Sequence, residues 1–204
     1  MPRAKVQRKS TSIDMTAMCD VAFLLLTFFI LTATARQPDP LDVQIPSSTY
    51  KIKVPDNDIG ILSIGKGKVF YEIVGQDVKK ATLERMSKEY NIPFTEDEKK
   101  RFSVLGSFGV PIESLKQFLA MNADQRDKFA KASNGIPADS TNNQLAQWIM
   151  QNRHAVAELH NTPLRISIKG DAKEEYPNIK KVVDILQKQK VNKFSLITSA
   201  EGGK

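Results

Sequence analysis

Ile13-Asp14-Met15-Thr16-Ala17-Met18-Cys19-Asp20-Val21-Ala22-Phe23-Leu24-Leu25-Leu26-Thr27-Phe28-Phe29-Ile30-Leu31 is the stretch that decides how the rest of this chain is read. Residues 21–31 carry no charge, only Thr27 interrupts their apolar character, and nothing later in the sequence resembles them. Arg3, Lys5, Arg8 and Lys9 precede the run, whereas only Arg36 follows it closely. That asymmetry predicts a cytoplasmic N-terminus and an exported C-terminal part. A helix over residues 15–35 at ~1.5 Å per residue is roughly 30 Å long, enough to cross a hydrocarbon core. The expected organisation is a cytoplasmic segment over residues 1–14 and a single transmembrane helix over 15–35. An extended linker with a short strand follows over 36–57, and an exported α/β domain over 58–204.

Two other readings of this segment are weaker. A cleavable signal peptide fits the basic start and the small-residue pattern Ala33-Thr34-Ala35. Asp20 speaks against it, because a signal peptide gains nothing from a carboxylate at the front of its apolar run. A lipoprotein acceptor at Cys19 fails because the apolar run follows the cysteine instead of preceding it.

The energetics single out Asp20. An aspartate near the centre of a membrane helix costs about 2.5 to 3.5 kcal/mol, and the apolar residues of the run return on the order of 4 kcal/mol. Insertion is favourable by a narrow margin, and an ionisable group retained at that cost points to function. The bland alternative is an acid near the cytoplasmic headgroups that caps the helix. At ~100° per residue, Thr16, Asp20, Thr27, Leu31 and Thr34 fall near one line along the helix. Lipid satisfies neither a carboxylate nor hydroxyls, so this polar stripe predicts a partner supplied by another chain.

Composition limits the rest. The 204 residues carry a formal charge of +7, with 41% hydrophobic and 26% charged residues. Lysines and arginines are scattered among acids with no basic stripe, so no nucleic-acid partner is expected; attraction to anionic lipid or cell-wall material is the remaining use of a basic surface. Cys19 is the single cysteine, so no intrachain disulfide forms, and an exported domain of this size can bury a core without one.

The residues quoted at the outset strongly resemble the membrane helix of the ExbD/TolR family, which typically reads T-P-x-x-D-V-x-x-x-L-L-x-x-F. Asp20 matches the family's membrane aspartate and Thr16 its preceding threonine, whereas Ala17 stands where proline is usual. Leu41-Asp42-Val43-Gln44-Ile45-Pro46 resembles the short strand after the membrane, and residues 164–198 resemble the strand-helix-strand ending with Asp171 after the first strand. The resemblance does not extend over about residues 75–143, which read as a helical insertion.

The resemblance implies a proton-carrying subunit of an inner-membrane motor driven by the proton gradient. Its implied partners are a pentameric ExbB/TolQ-like membrane subunit, a TonB-like protein and a second copy of the chain. In that role Asp20 carries the proton and Thr16, Thr27 and Thr34 support it. Leu41, Val43 and Ile45 form a strand that binds a partner. A TolR-like role in envelope integrity or cell-wall binding is the alternative. No cofactor is implied.

In the exported part, Gln37-Pro38-Asp39-Pro40 predicts an extended linker. Residues 58–74 read as two strands around Gly65-Lys66-Gly67-Lys68. Three helical patterns follow, on Leu83, Met86 and Tyr90, then Leu115, Phe118 and Leu119, then Leu145, Trp148, Ile149, Val156 and Leu159; Pro93, Pro111 and Pro137 separate them. Leu164, Ile166 and Ile168 alternate with Arg165, Ser167 and Lys169 as in a half-buried strand. Tyr176, Ile179, Val182, Val183 and Leu186 mark an amphipathic helix, and residues 194–198 a last strand, which together predict a parallel βαβ unit.

Asp171 and Glu174 have capping-box spacing, a structural role. Trp148 reads as core. His154 and His160 are poorly spaced for a shared metal and no cysteine joins them, so no metal site is expected. No nucleophile motif or phosphate-binding glycine loop is present, and the exported domain reads as a binding module without enzymatic activity.

Overall fold

The computed structural model describes residues 15–32, 47–48, 57–139, 142–171, 174–197 and 199–200. The chain divides into two compact units, residues 1–37 and 38–204.

In the first unit, Met15–Thr32 form α1, 18 residues without a buried side chain. At 1.5 Å per residue it is about 27 Å long. Its mean hydropathy is 2.0. Phe23, Leu24, Leu25, Leu26, Phe28, Phe29 and Ile30 are all exposed. A helix apolar on every side has no stable place on a water-facing surface, and its length and composition fit a single-pass membrane anchor.

The second unit is an α/β domain. Its elements are β1 (Ser47–Ser48), β2 (Ile59–Gly65), β3 (Lys68–Ile73), α2 (Gln76–Tyr90), α3 (Glu96–Ser103), α4 (Ile112–Ala120), α5 (Ala123–Ala132), α6 (Gln144–His160), β4 (Arg165–Gly170), α7 (Tyr176–Lys188), β5 (Phe194–Leu196) and β6 (Ser199–Ala200). The main sheet runs β3-β2-β4-β5, and β1 pairs with β6 in a separate two-stranded sheet. β2 and β3 are the expected hairpin, with Gly65 opposite Lys68. The two turn residues, Lys66 and Gly67, both have positive φ, at 55° and 71°, as the tight primed turns of hairpins require. β4 pairs in parallel with both β2 and β5. With α7 between β4 and β5, the expected βαβ ending is present.

Two expectations need correction. The alternation in residues 164–169 predicts a strand wet on one face, but Ser167 is as buried as Ile166 and Ile168. Ser63 on the neighbouring β2 is buried too, so both faces of the inner strands are covered. The capping box at Asp171 is absent: α7 begins at Tyr176 after Glu175, with Pro177 in its first turn and no side-chain cap. Glu174 is engaged elsewhere, accepting from the Gly67 backbone N–H at 3.1 Å and from Asn178 Nδ2 at 2.6 Å. The carboxylate braces the hairpin turn against the start of α7.

Between Pro93 and Pro137 lie three helices where a single one was expected. The short α3 and α5 each open on a reciprocal cap. Thr95 Oγ1 accepts from Glu98 N while Glu98 accepts from Thr95 N, and Asn122 and Gln125 do the same. This region supplies the centre of the core. Phe102 and Phe108 pack on Trp148 of α6 with ring centroids 5.8 and 4.8 Å apart, and Tyr71 of β3 meets Phe108 edge-on at 6.2 Å.

The same region closes one side of the sheet. Tyr71 exchanges two backbone hydrogen bonds with Phe108, at 2.8 and 2.9 Å, and Ile136 N donates to Val69 O at 2.9 Å. Gly135 (φ +81°) makes the second contact possible, since a Cβ there would stand 2.7 Å from Val69 N. The outer edge of β3 is thereby covered.

Candidate functional site

Asp20 is the only charged residue of α1 and stands sixth in it, one and a half turns from its start. Thr16 is one turn before it and Thr27 two turns after, as the 3.6-residue period requires. The Thr27 hydroxyl donates to the carbonyls of Phe23 and Leu24, at 3.0 and 2.9 Å. Thr32 bonds back to Phe28 O at 2.7 Å in the same way.

These bonds narrow what the stripe demands of its surroundings. The helix itself satisfies the hydroxyl proton of Thr27, so that residue does not call for an outside acceptor. An ionised carboxylate has no proton to give to those carbonyls, so it cannot be satisfied by bonding back in this way. Of Asp20 and Thr27, the carboxylate is therefore the side chain that needs water, a cation, a donor or its own proton. The stripe is also less polar than the threonines suggest, since Phe23, four residues before Thr27, lies on the same side. Thr34, Leu41, Val43 and Ile45 lie outside the described residues.

Trp148 is fully buried, in agreement with the sequence reading. A shallow groove between α2 and α6 is lined by Glu84, Arg85, Lys88, Gln151, His154 and Glu158, and the Arg85–Glu158 ion pair crosses it. A smaller cavity of about 370 Å³ lies beside the hairpin turn, among Gly67, Pro111, Gly135, Asn178 and Lys181. Among the described residues, no group of three or more His, Cys, Asp and Glu side chains is arranged to hold a metal ion.

Sequence reasoning weighs His160 only as a metal ligand and gives it no other partner. The structure bonds it to Asp58 and Asp77, and those two carboxylates hold its imidazole above the ordinary histidine range. Spacing along the chain gives no signal for this, because both partners are distant in sequence.

Comparison with known proteins gives one result for the whole chain. The sequence model of a single family, Biopolymer transport protein ExbD/TolR, matches residues 7–201. No curated protein and no solved structure matches the chain.

Proposed function

The chain belongs to the ExbD/TolR family, and from that premise we propose that it is the proton-carrying subunit of an inner-membrane motor, with Asp20 as the carrier. Membership places it among the transport-associated, non-enzymatic proteins that energise biopolymer transport and work with ExbB/TolQ-type partners. Within that frame, the observation that carries the proposal is one carboxylate in an 18-residue helix that has no other charge and no buried face.

The chemistry follows from solvation. Moving a carboxylate out of water disfavours its charged form, so a partner surface that alternately hydrates and encloses Asp20 alternately releases and loads a proton. Neutral, the side chain tolerates an apolar wall; ionised, it requires water, hydroxyls or a cation. Protonation thus biases which partner surface the helix faces, a two-state change driven by one local charge. In the proposed assembly a pentameric ExbB/TolQ-like subunit surrounds a homodimer of this chain in the inner membrane. Its N-terminus is cytoplasmic, its α/β domain is periplasmic, and a TonB-like protein receives the work.

The second reading is a membrane-anchored adaptor of the TolR-like kind, favoured by the place of Asp20 in the first third of α1. Gradient-driven uptake in cells carrying Asp20→Asn, with membrane level and partner co-purification measured alongside, separates the two. Asparagine keeps the shape of the protonated acid but cannot release a proton. Normal assembly with lost uptake supports the motor. Unchanged uptake sinks it and leaves the adaptor.

A further inference from the structure

His160 is the last residue of α6, where the helix dipole favours a cation. Its Nδ1 bonds Asp58 Oδ1, and its Nε2 lies 2.9 Å from Asp77 Oδ2. Asp58 immediately precedes β2, and its other oxygen accepts from Thr162 Oγ1 at 3.0 Å. Asp77 lies in the first turn of α2 and also accepts from the Val78 N–H at 2.9 Å. One imidazole thus joins the end of one helix to the beginning of another and to the start of the central strand.

A neutral imidazole carries a single N–H and can donate to only one carboxylate; the imidazolium donates to both. Two simultaneous carboxylate contacts therefore define the protonated ring. When the proton leaves, a nitrogen lone pair faces a carboxylate oxygen and one contact must open.

We propose that His160, Asp58 and Asp77 form a pH-operated clasp that ties α6 to α2 and β2 while the imidazole is protonated and lets the helix ends separate when it is neutral. Among the described residues, the charged groups facing the ring are Asp58 from the start of β2 and Asp77 from α2; on α6 itself the neighbouring Glu158 is paired with Arg85. Arg165 reaches Asp58 only through the backbone, donating to its carbonyl at 2.9 Å. That bond, and the one from Val74 N to Ile59 O at 3.0 Å, do not depend on the proton. The sheet stays paired and the change is confined to the ends of α2 and α6. The clasp makes this end of the domain firmest on the acid side, whether or not Asp20 carries protons.

The test is imidazole NMR on the full-length chain in detergent micelles, from about pH 5 to about pH 9, a range that spans histidine titration. The chain has two histidines, His154 and His160, and the His160→Gln variant tells their signals apart. His160 is expected to titrate at higher pH in the folded chain than in the chain unfolded by urea. That difference collapses in the Asp58→Asn, Asp77→Asn double variant. Amide exchange at Val78, corrected for its intrinsic pH dependence, rises several-fold as His160 loses its proton and becomes independent of pH in His160→Gln. Equal midpoints in the folded and unfolded wild-type chain overturn the clasp, and so does exchange at Val78 that follows pH equally in His160→Gln. The wild-type comparison stands even if a variant does not fold.

Discussion

Asp20 and His160 are the two ionisable groups of this chain with most to say about function, and they sit in opposite kinds of surroundings. Asp20 projects from a helix with no other charge and no core of its own to pack against. His160 is held from two sides by carboxylates on other elements of its own domain. In the proposed motor the first group finds its counterpart in a partner. The second is already satisfied within the chain, so its protonation state feeds back on the fold that holds it. On the two proposals, a titratable side chain works between molecules in one case and within one molecule in the other.

The sharpest way to break this contrast is at Asp20. Asp20→Asn is expected to abolish gradient-driven activity while leaving domain stability and membrane level unchanged, as read by uptake and by urea titration of the purified chain. A loss of domain stability would mean that the two units are energetically coupled, against the division drawn here. Trp148→Ala should do the reverse. It removes a fully buried indole that packs against Phe102 and Phe108, at a cost of about 3 to 5 kcal/mol. Denaturant midpoints report the loss, and membrane insertion of α1 should be unaffected.

Tyr71→Phe probes the polar group inside that core. Asn152 Nδ2 donates to the Tyr71 hydroxyl at 2.5 Å, and burial pushes the phenol well above its usual range. Deleting the hydroxyl strands a buried amide donor and is expected to destabilise by about 1 to 3 kcal/mol in the same titration. Thr95→Ala, which removes half of the reciprocal cap on α3, should cost only about 1 kcal/mol.

The smallest effect expected is that of pH on the exposed clasp. His160 is raised above its ordinary value, so its contribution to stability is complete below about pH 6.5, the unfolded value, and is lost as pH rises through the folded one. Asp77 is lowered, first by the Val78 N–H and then by His160. Its contribution is therefore present above the unfolded carboxylate range and is lost as pH falls through the folded value. Thermal melts from acid to alkaline pH should decline across the histidine window in the wild type and stay flat there in His160→Gln.

Several features were legible in the sequence because their causes are local. Asp20 stands out in α1 because hydropathy and charge act on each stretch of helix by itself. The hairpin at Lys66-Gly67 is written in its turn residues, and the β4-α7-β5 ending in the shift of apolar period from two to 3.6. The caps of α3 and α5 are local too, in Thr95-x-x-Glu98 and Asn122-x-x-Gln125.

The same kind of local signal misled at Asp171, where Glu174 had the right spacing for a cap but is taken by a backbone N–H 107 residues away. Sequence by itself determined that one apolar helix carries one acid and that an α/β domain with a parallel ending follows. Only the tertiary structure decided that Phe102 and Phe108 complete the core around Trp148, that the edge of β3 is closed, and that His160 meets carboxylates 102 and 83 residues away. The physical reason is range: hydropathy, turn geometry and capping act between near neighbours along the chain, whereas packing and ion pairing act between whatever the fold brings together.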